Sequence, residues 1–167
     1  MRADHEREFV EYVSARLPAL HRTAYLLCGD GHLADDIAQS AATALYRHWR
    51  RARLADNLDA YVHRVLVRKY LDEMRRHRSR VRLTPVPPDR AVPAETSVEE
   101  RDSLRVALTG LPRSQRTVLV LRFVCDLSVA ETAALLDCSQ SNVKGHTSRG
   151  LAALRDVLGP DLLNSTT

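Results

Sequence analysis

Between Ser128 and Arg155 the chain reads SVAETAALLDCSQSNVKGHTSRGLAALR, a stretch compatible with few folds. Ser128 with Glu131 three residues later forms a capping box, which starts a helix. Val129, Ala133 and Leu136 then fall on one face at helical spacing, and the small Ala133 leaves room for a crossing helix. Asp137-Cys138 interrupts that pattern, and aspartate tolerates the left-handed backbone of a sharp turn. Ser139 can cap a second helix, on which Val143, Thr147, Leu151 and Leu154 point inward. Asn142, Lys144, Gly145, Ser148, Arg149 and Arg155 are left facing out. The stretch reads as a helix-turn-helix. Its outer face suits a DNA major groove, where Arg and Lys pair with guanine edges or phosphates and Asn pairs with adenine. An ordinary helical hairpin with a solvated polar face fits the same pattern.

The rest of the chain bears on which of these holds. A length of 167 residues accommodates one domain or two small ones. Aromatics make up 5% and β-branched runs are few, so the composition leans helical. The net charge is +4, and all but two of the 25 basic residues are arginine, the exceptions being Lys69 and Lys144. The arginine fork suits phosphate and guanine, although with Ile37 as the sole isoleucine a GC-rich genome accounts for more of the excess. Cys28, Cys125 and Cys138 are odd in number and lack CxxC spacing, and the seven histidines are scattered. Neither a zinc site nor a disulfide framework is expected, and no cofactor is implied. The segment from Arg2 to Glu11 is charged and has no signal-peptide core, and no run of eighteen apolar residues exists. A reduced, cytoplasmic location without membrane insertion is therefore expected.

In chain order, Phe9, Val13, Leu17, Leu20, Ala24 and Leu27 step at helical intervals, and Pro18 is expected to kink or split that helix. Gly29-Asp30-Gly31 ends it. A second helix is expected from about Leu33 to Arg53, with Leu33, Ile37, Ala41, Ala44 and Leu45 inward. Asp35, Asp36 and Gln39 are exposed at its start, and Arg47, Arg50, Arg51 and Arg53 lie at its end. That charge order suits the helix dipole, and adjacent Asp35 and Asp36 diverge around the axis, so no catalytic pair is read there. Asp56-Asn57 caps a third helix, roughly Leu58 to Arg78, burying Tyr61, Val62, Val65, Leu66 and Met74. Its other face holds Arg64, Arg68, Asp72, Arg75 and Arg76, and the basic run continues through Arg78, Arg80 and Arg82. Trp49, Tyr61 and Tyr70 border this run, and rings among arginines suit unpaired bases. Pro85, Pro87, Pro88 and Pro93 make residues 79–96 an extended linker. Ser97 with Glu100 forms another capping box, followed by a stripe of Leu104, Ala107, Leu108 and Leu111. Gly110 and Pro112 punctuate, and a helix from about Ser114 to Cys125 carries Val118, Leu121 and Arg122. The expected fold is all-α: helical domains at 1–78 and 97–158 around the linker, with a frayed tail at 159–167.

The order GDGHLADDIAQSA, AYVHRVLVRKYLDEMRRHR, proline linker, then LTGLPRSQRTVLVLRFVCDLSVAETAALLDCSQSNVKGHTSRGLAALR resembles the extracytoplasmic-function sigma factors of bacteria. The resemblance covers roughly Phe9 to Arg155. It implies that the LADDIAQ segment grips the clamp coiled coil of the RNA polymerase largest subunit through Asp35, Asp36, Ile37 and Gln39. It further implies that the YVHRVLVRKYLDEMRR helix opens and reads the minus-ten promoter element through Asn57, Tyr61, Arg64, Arg68, Asp72, Arg75 and Arg76. The second helix of the helix-turn-helix would read the minus-thirty-five element through Asn142, Lys144, His146, Ser148 and Arg149. The linker resembles the segment that threads toward the RNA exit channel. The implied partners are core RNA polymerase (clamp coiled coil and flap region), promoter DNA, and an anti-sigma factor wedged between the domains. The chain departs from the family at Ser40, where Glu is frequent, and at Arg68, where Asn is usual. Asp137 and Gly145 replace a common Gly and Ser. No catalytic activity of its own is implied. Two other readings compete: a regulator that binds duplex DNA without polymerase, and a nuclease, for which clustered carboxylates or His with a metal are lacking.

Overall fold

The computed structural model describes the backbone of residues 2–83 and 100–159, and the side chains of residues 2–76 and 103–159. The chain divides into two compact units, Met1–Asp89 and Arg90–Thr167. Among the described residues the regular elements of both are helices.

The first unit contains α1 (Arg2–Cys28), α2 (Gly31–Arg47), the short α3 (Trp49–Ala52) and α4 (Leu58–Leu83). α1 runs unbroken through Pro18, so the proline does not split it. Ser14, Leu17 and Pro18 are all exposed, so the carbonyl that proline leaves without a helical donor lies on a solvent-facing stretch. Gly29, with φ +71°, ends α1, and the Asp30 carboxylate opens α2 by accepting from the backbone N–H groups of His32 (2.9 Å) and Leu33 (3.2 Å). α2 does not reach Arg53. At His48 the backbone N–H is shared between the carbonyls of Ala44 and Leu45, the helix breaks, and α3 begins. The core joins Leu20, Ala24 and Leu27 of α1 to Ala34, Ile37, Ala38, Ala41 and Leu45 of α2, with Trp49, Ala52, Val62, Leu66, Val67, Tyr70 and Met74. The alanines of α2 carry little bulk, so α1 and α4 both pack closely against it. Leu33, Ala44, Tyr61 and Val65, expected inward, are only half-buried. α4 continues to Leu83, so residues 79–83 are helical in backbone rather than linker; the first proline, Pro85, stands two residues beyond. The four linker prolines, the Ser97 side of the second capping box and the tail from residue 160 lie outside the described residues.

The second unit contains α5 (Glu100–Thr109), α6 (Arg113–Leu119), a π-helical turn (Val120–Val124), α7 (Val129–Leu136) and α8 (Gln140–Leu158). The helix expected to Cys125 therefore changes hand-hold rather than simply ending: the Cys125 N–H bonds five residues back to the Val120 carbonyl at 3.0 Å. One guanidinium nitrogen of Arg122 then donates to the Leu127 carbonyl at 2.6 Å, and Asp126 takes φ +54°. The turn leaves Phe123 and Val124 exposed while Val120, Leu121, Cys125 and Leu127 stay buried. Thr117 to Leu121 are buried without interruption, so α6 is the central element of this unit. Ala107, Leu108 and Leu111 pack inward, but Leu104, expected in the same stripe, is exposed.

Candidate polymerase and nucleic-acid interfaces

The start of α2 offers a carboxylate surface because its cap and core residues orient it. Ile37 is fully buried, with Ala34 and Ala38 beside it, which turns Asp35, Asp36 and Gln39 to solvent. Ile37 therefore supports this surface from beneath and is not available for contact. The Gln39 amide donates to an Asp35 carboxylate oxygen at 3.2 Å, one turn back along the helix. Asp36 has no such partner among the described residues.

The outer face of α4 is built on a different anchor. Asn57 caps the helix, its side-chain oxygen accepting from the Ala60 N–H at 3.0 Å, so part of its hydrogen-bonding capacity is structural. Tyr61 and Arg64 are half-buried and Arg68 is exposed. Asp72 pairs with Arg75 at 3.6 Å and Glu73 with Arg76 at 3.1 Å, both along the helix, so this face is less positive than its arginine count suggests. The aromatic reading needs correction. Tyr70 and Trp49 are core residues at 1% and 4% exposure, leaving Tyr61 as the ring of that set on the surface. Phe9 and Tyr12 close over Trp49 with ring centroids at 5.4 and 5.6 Å. The side chains of Arg78, Arg80 and Arg82 are outside the described residues.

Sequence reading missed how α4 is tied down. Asp59, in its first turn, accepts from the Tyr12 hydroxyl at 2.6 Å and from Arg16 at 3.1 Å, both on α1. Burial, then the hydrogen bond to Asp59 and its negative charge, push the Tyr12 phenol well above its ordinary range. Burial holds the neighbouring His63 below its ordinary 6.5. Tyr12 and Arg16 are one helical turn apart, a spacing that signals a shared partner but does not name it.

The helix-turn-helix is built as its local chemistry dictates. The Ser128 hydroxyl accepts from the Glu131 N–H and the Glu131 carboxylate from the Ser128 N–H, each at 3.0 Å. Asp137 is left-handed at φ 53°, and Ser139 caps α8 through the Asn142 N–H at 3.1 Å. Val118, Ala133 and Val143 form the core where α6, α7 and α8 meet. Val143 and Leu154 are buried and Thr147 and Leu151 half-buried, which leaves Asn142, Lys144, Ser148 and Arg149 exposed on one side of α8. His146 is half-buried, and its Nδ1 accepts from Arg149 at 3.2 Å. That guanidinium lies over Gly145, 3.4 Å from where a Cβ would stand. Gly150, also unremarked in the sequence, is buried; a Cβ there would come within 2.8 Å of the Leu119 side chain. A glycine inside a helix was the available signal.

Two unlike surfaces thus sit on the first unit and an exposed polar helix face on the second. Residues 12–80 match sigma-70 region 2, and residues 101–154 match sigma-70 region 4. The RNA polymerase sigma-E factor of Streptomyces avermitilis is 36% identical over 152 residues, covering 90% of this chain and 85% of that protein. The chain belongs to the extracytoplasmic-function sigma factors. A further member, the ECF RNA polymerase sigma factor SigM of Mycobacterium tuberculosis, is 31% identical over 84% of this chain and 71% of its own length. As a member of this family the chain is an alternative sigma factor, a regulatory subunit that acts with core RNA polymerase to direct promoter-specific transcription. The fold agrees with that of the sigma factor RpoE in its co-crystal structure with the anti-sigma factor NepR from Bartonella quintana. The TM-score is 0.71 at 23% identity, over 93% of this chain and 99% of that one. Among the described residues no helix is long and apolar enough to cross a membrane.

Proposed function

We propose that this sigma factor divides promoter recognition between its two units, with polymerase gripping the first. Asp35, Asp36 and Gln39 dock on the clamp coiled coil of the largest subunit. Asn57, Tyr61, Arg64, Arg68, Asp72, Arg75 and Arg76 line the surface that receives the minus-ten element, and Tyr61 offers the ring on which an unstacked base can rest. Asn142, Lys144, His146, Ser148 and Arg149 read the minus-thirty-five element in intact duplex, and the second unit also meets the flap region. The observation that carries this reading is the exposed row of Asn142, Lys144, Ser148 and Arg149 on a serine-capped helix braced by α6 and α7. Such a row matches base edges and phosphates of a major groove.

Melting needs polymerase for an energetic reason. Unstacking costs a few kcal/mol per base, so a small helical unit captures one or two bases but does not unwind a turn. An anti-sigma factor is the expected antagonist, and the cytoplasm the expected site of action. In vitro transcription tests the reading: run-off product from a cognate promoter requires both this chain and core polymerase. Product that appears without the chain, or promoter occupancy by the chain that core polymerase does not improve, contradicts it.

A further inference from the structure

α8 carries an arginine that is already held in place. Arg149 is exposed, and among the described residues no carboxylate pairs with it. Its guanidinium lies one turn back along the helix, across Gly145. The Nη1, Nη2 and Cζ atoms stand 3.4, 3.6 and 3.7 Å from the position a Cβ of residue 145 would take. Nη2 is also 3.2 Å from the His146 Nδ1. Arginine has no acceptor, so Nδ1 accepts and the ring carries its proton on Nε2. The two neighbours act differently. At Gly145 a methyl would only touch the guanidinium, but a γ atom about 1.5 Å further out would stand in its place. His146 is half-buried, so its ring is a firmer anchor than a fully exposed side chain.

This seat changes what Arg149 can reach. Helical side chains lean toward the N-terminus, and here that lean is fixed by contacts. The Arg149 Cα lies about 10 Å along the axis from that of Asn142, whereas the level of Gly145 lies only about 4–5 Å from it. Residues 142, 145, 146 and 149 share one stripe of α8. The early turns of such a helix are the ones that meet base edges. We propose that Gly145 and His146 determine promoter specificity by seating the Arg149 guanidinium to read a guanine edge next to the base met by Asn142. The proposal rests on the reading of α8 as the minus-thirty-five helix and deepens it, because His146 becomes a positioning residue that acts through Arg149. Seating the guanidinium beforehand removes the cost of ordering a long side chain on binding. Most of its N–H donors stay available for the paired bonds to guanine O6 and N7.

The test is binding of holoenzyme, assembled from the full chain and core polymerase, to duplex fragments of a promoter it transcribes. Each minus-thirty-five base pair is changed in turn, and helical content is recorded for every variant. Arg149→Ala is expected to lose about tenfold in affinity for the unchanged promoter and to lose discrimination at one G·C pair. His146→Ala should lose about fivefold on that promoter and nothing on the duplex changed at that pair. His146→Asn, whose amide oxygen falls where Nδ1 stands, should bind within about twofold of wild type. Gly145→Ala should keep the preference, and Gly145→Leu should lose it. With Arg149→Ala already present, His146→Ala should have no further effect. Additive losses from those two substitutions, or an intact preference in Gly145→Leu, would overturn the seat and leave α8 as the reader. An Arg149→Ala loss spread evenly over all the duplexes would mean a phosphate contact and overturn the proposal as well. If neither Arg149→Ala nor Lys144→Ala alters binding to any duplex, the reading of α8 falls and the proposal falls with it.

Discussion

Replacing Gly150 with alanine sets two effects of known size against each other. In a helix interior alanine is favoured over glycine by about 0.5–1 kcal/mol. Here the added methyl would stand 2.8 Å from the Leu119 Cδ1 and 3.1 Å from its Cγ, with the Gln115 Cβ at 3.5 Å. Leu119 is 3% exposed, so its side chain must re-seat within the core or α6 and α8 must part. Such overpacking costs about 1–3 kcal/mol, which exceeds the helical gain and leaves a net loss of about 1 kcal/mol. A double-mutant cycle isolates the clash. Leu119→Ala alone should cost about 2–5 kcal/mol by leaving a cavity. Combined with Gly150→Ala it should cost less than the sum by about 1–2 kcal/mol, because the new methyl enters that space. Urea unfolding of the full chain supplies the readout. The single tryptophan, Trp49, belongs to the first unit. Its fluorescence transition should therefore stay in place while part of the circular-dichroism transition moves to lower urea. A Gly150→Ala chain more stable than wild type, or strict additivity with Leu119→Ala, would refute the close approach of α6 to α8.

Other outcomes follow from single contacts. Ser128→Ala removes the acceptor of the Glu131 N–H and should destabilise the second unit by about 1 kcal/mol, read as a lower thermal midpoint, whereas Glu131→Gln should retain most of the stability. Burial pushes the Cys125 thiol up from its ordinary 9.0 to about 12. The unfolded thiol ionises first as pH rises, so stability should fall between about pH 9 and pH 12, by at most about 1.4 kcal/mol per pH unit from this group. Denaturation midpoints of Cys125→Ala should decline less over the accessible part of that range, and an unchanged slope would count against it. For transcription, Tyr61→Ala should be restored largely by a template with a pre-opened minus-ten bubble. Lys144→Ala should weaken promoter binding by about 1–3 kcal/mol if it reads a base edge, and the bubble should not rescue it. Identical responses of the two variants would sink the division of labour.

Features set by chemistry within three or four residues were legible from sequence. The Ser128–Glu131 box, the left-handed Asp137, the Ser139 and Asn57 caps and the exposed acids of α2 all follow from local hydrogen-bonding capacity and helical period. What failed depended on partners far along the chain. Trp49 and Tyr70 stand among arginines in sequence, yet Phe9 and Tyr12 arrive from some forty residues away to enclose Trp49. Ile37 shares a segment with exposed acids, and only the packing of α1 and α4 around α2 decides that it is core. Asp59 carried no signal in the sequence, because its partners Tyr12 and Arg16 come from α1, more than forty residues away. The split expected of α1 at Pro18 failed for the opposite reason, because a local penalty was applied where solvent relieves it.

The π-helical turn at Val120–Val124 has a consequence for chain length. An α-helix closes each ring four residues back, and here the ring closes five back, so the turn holds one residue more than the helical ladder requires. The surplus is taken up by bulging Phe123 and Val124 outward while Leu121 and Cys125 keep their inward phase. The chain thereby stores a one-residue length difference upstream of the helix-turn-helix without rotating it. Deleting Val124 should return the segment to α-helical register with Cys125 still facing the core and α7 starting from the same loop. Inserting a residue within α8 has no such buffer, and would turn every side chain beyond it by about 100° out of the face it now occupies.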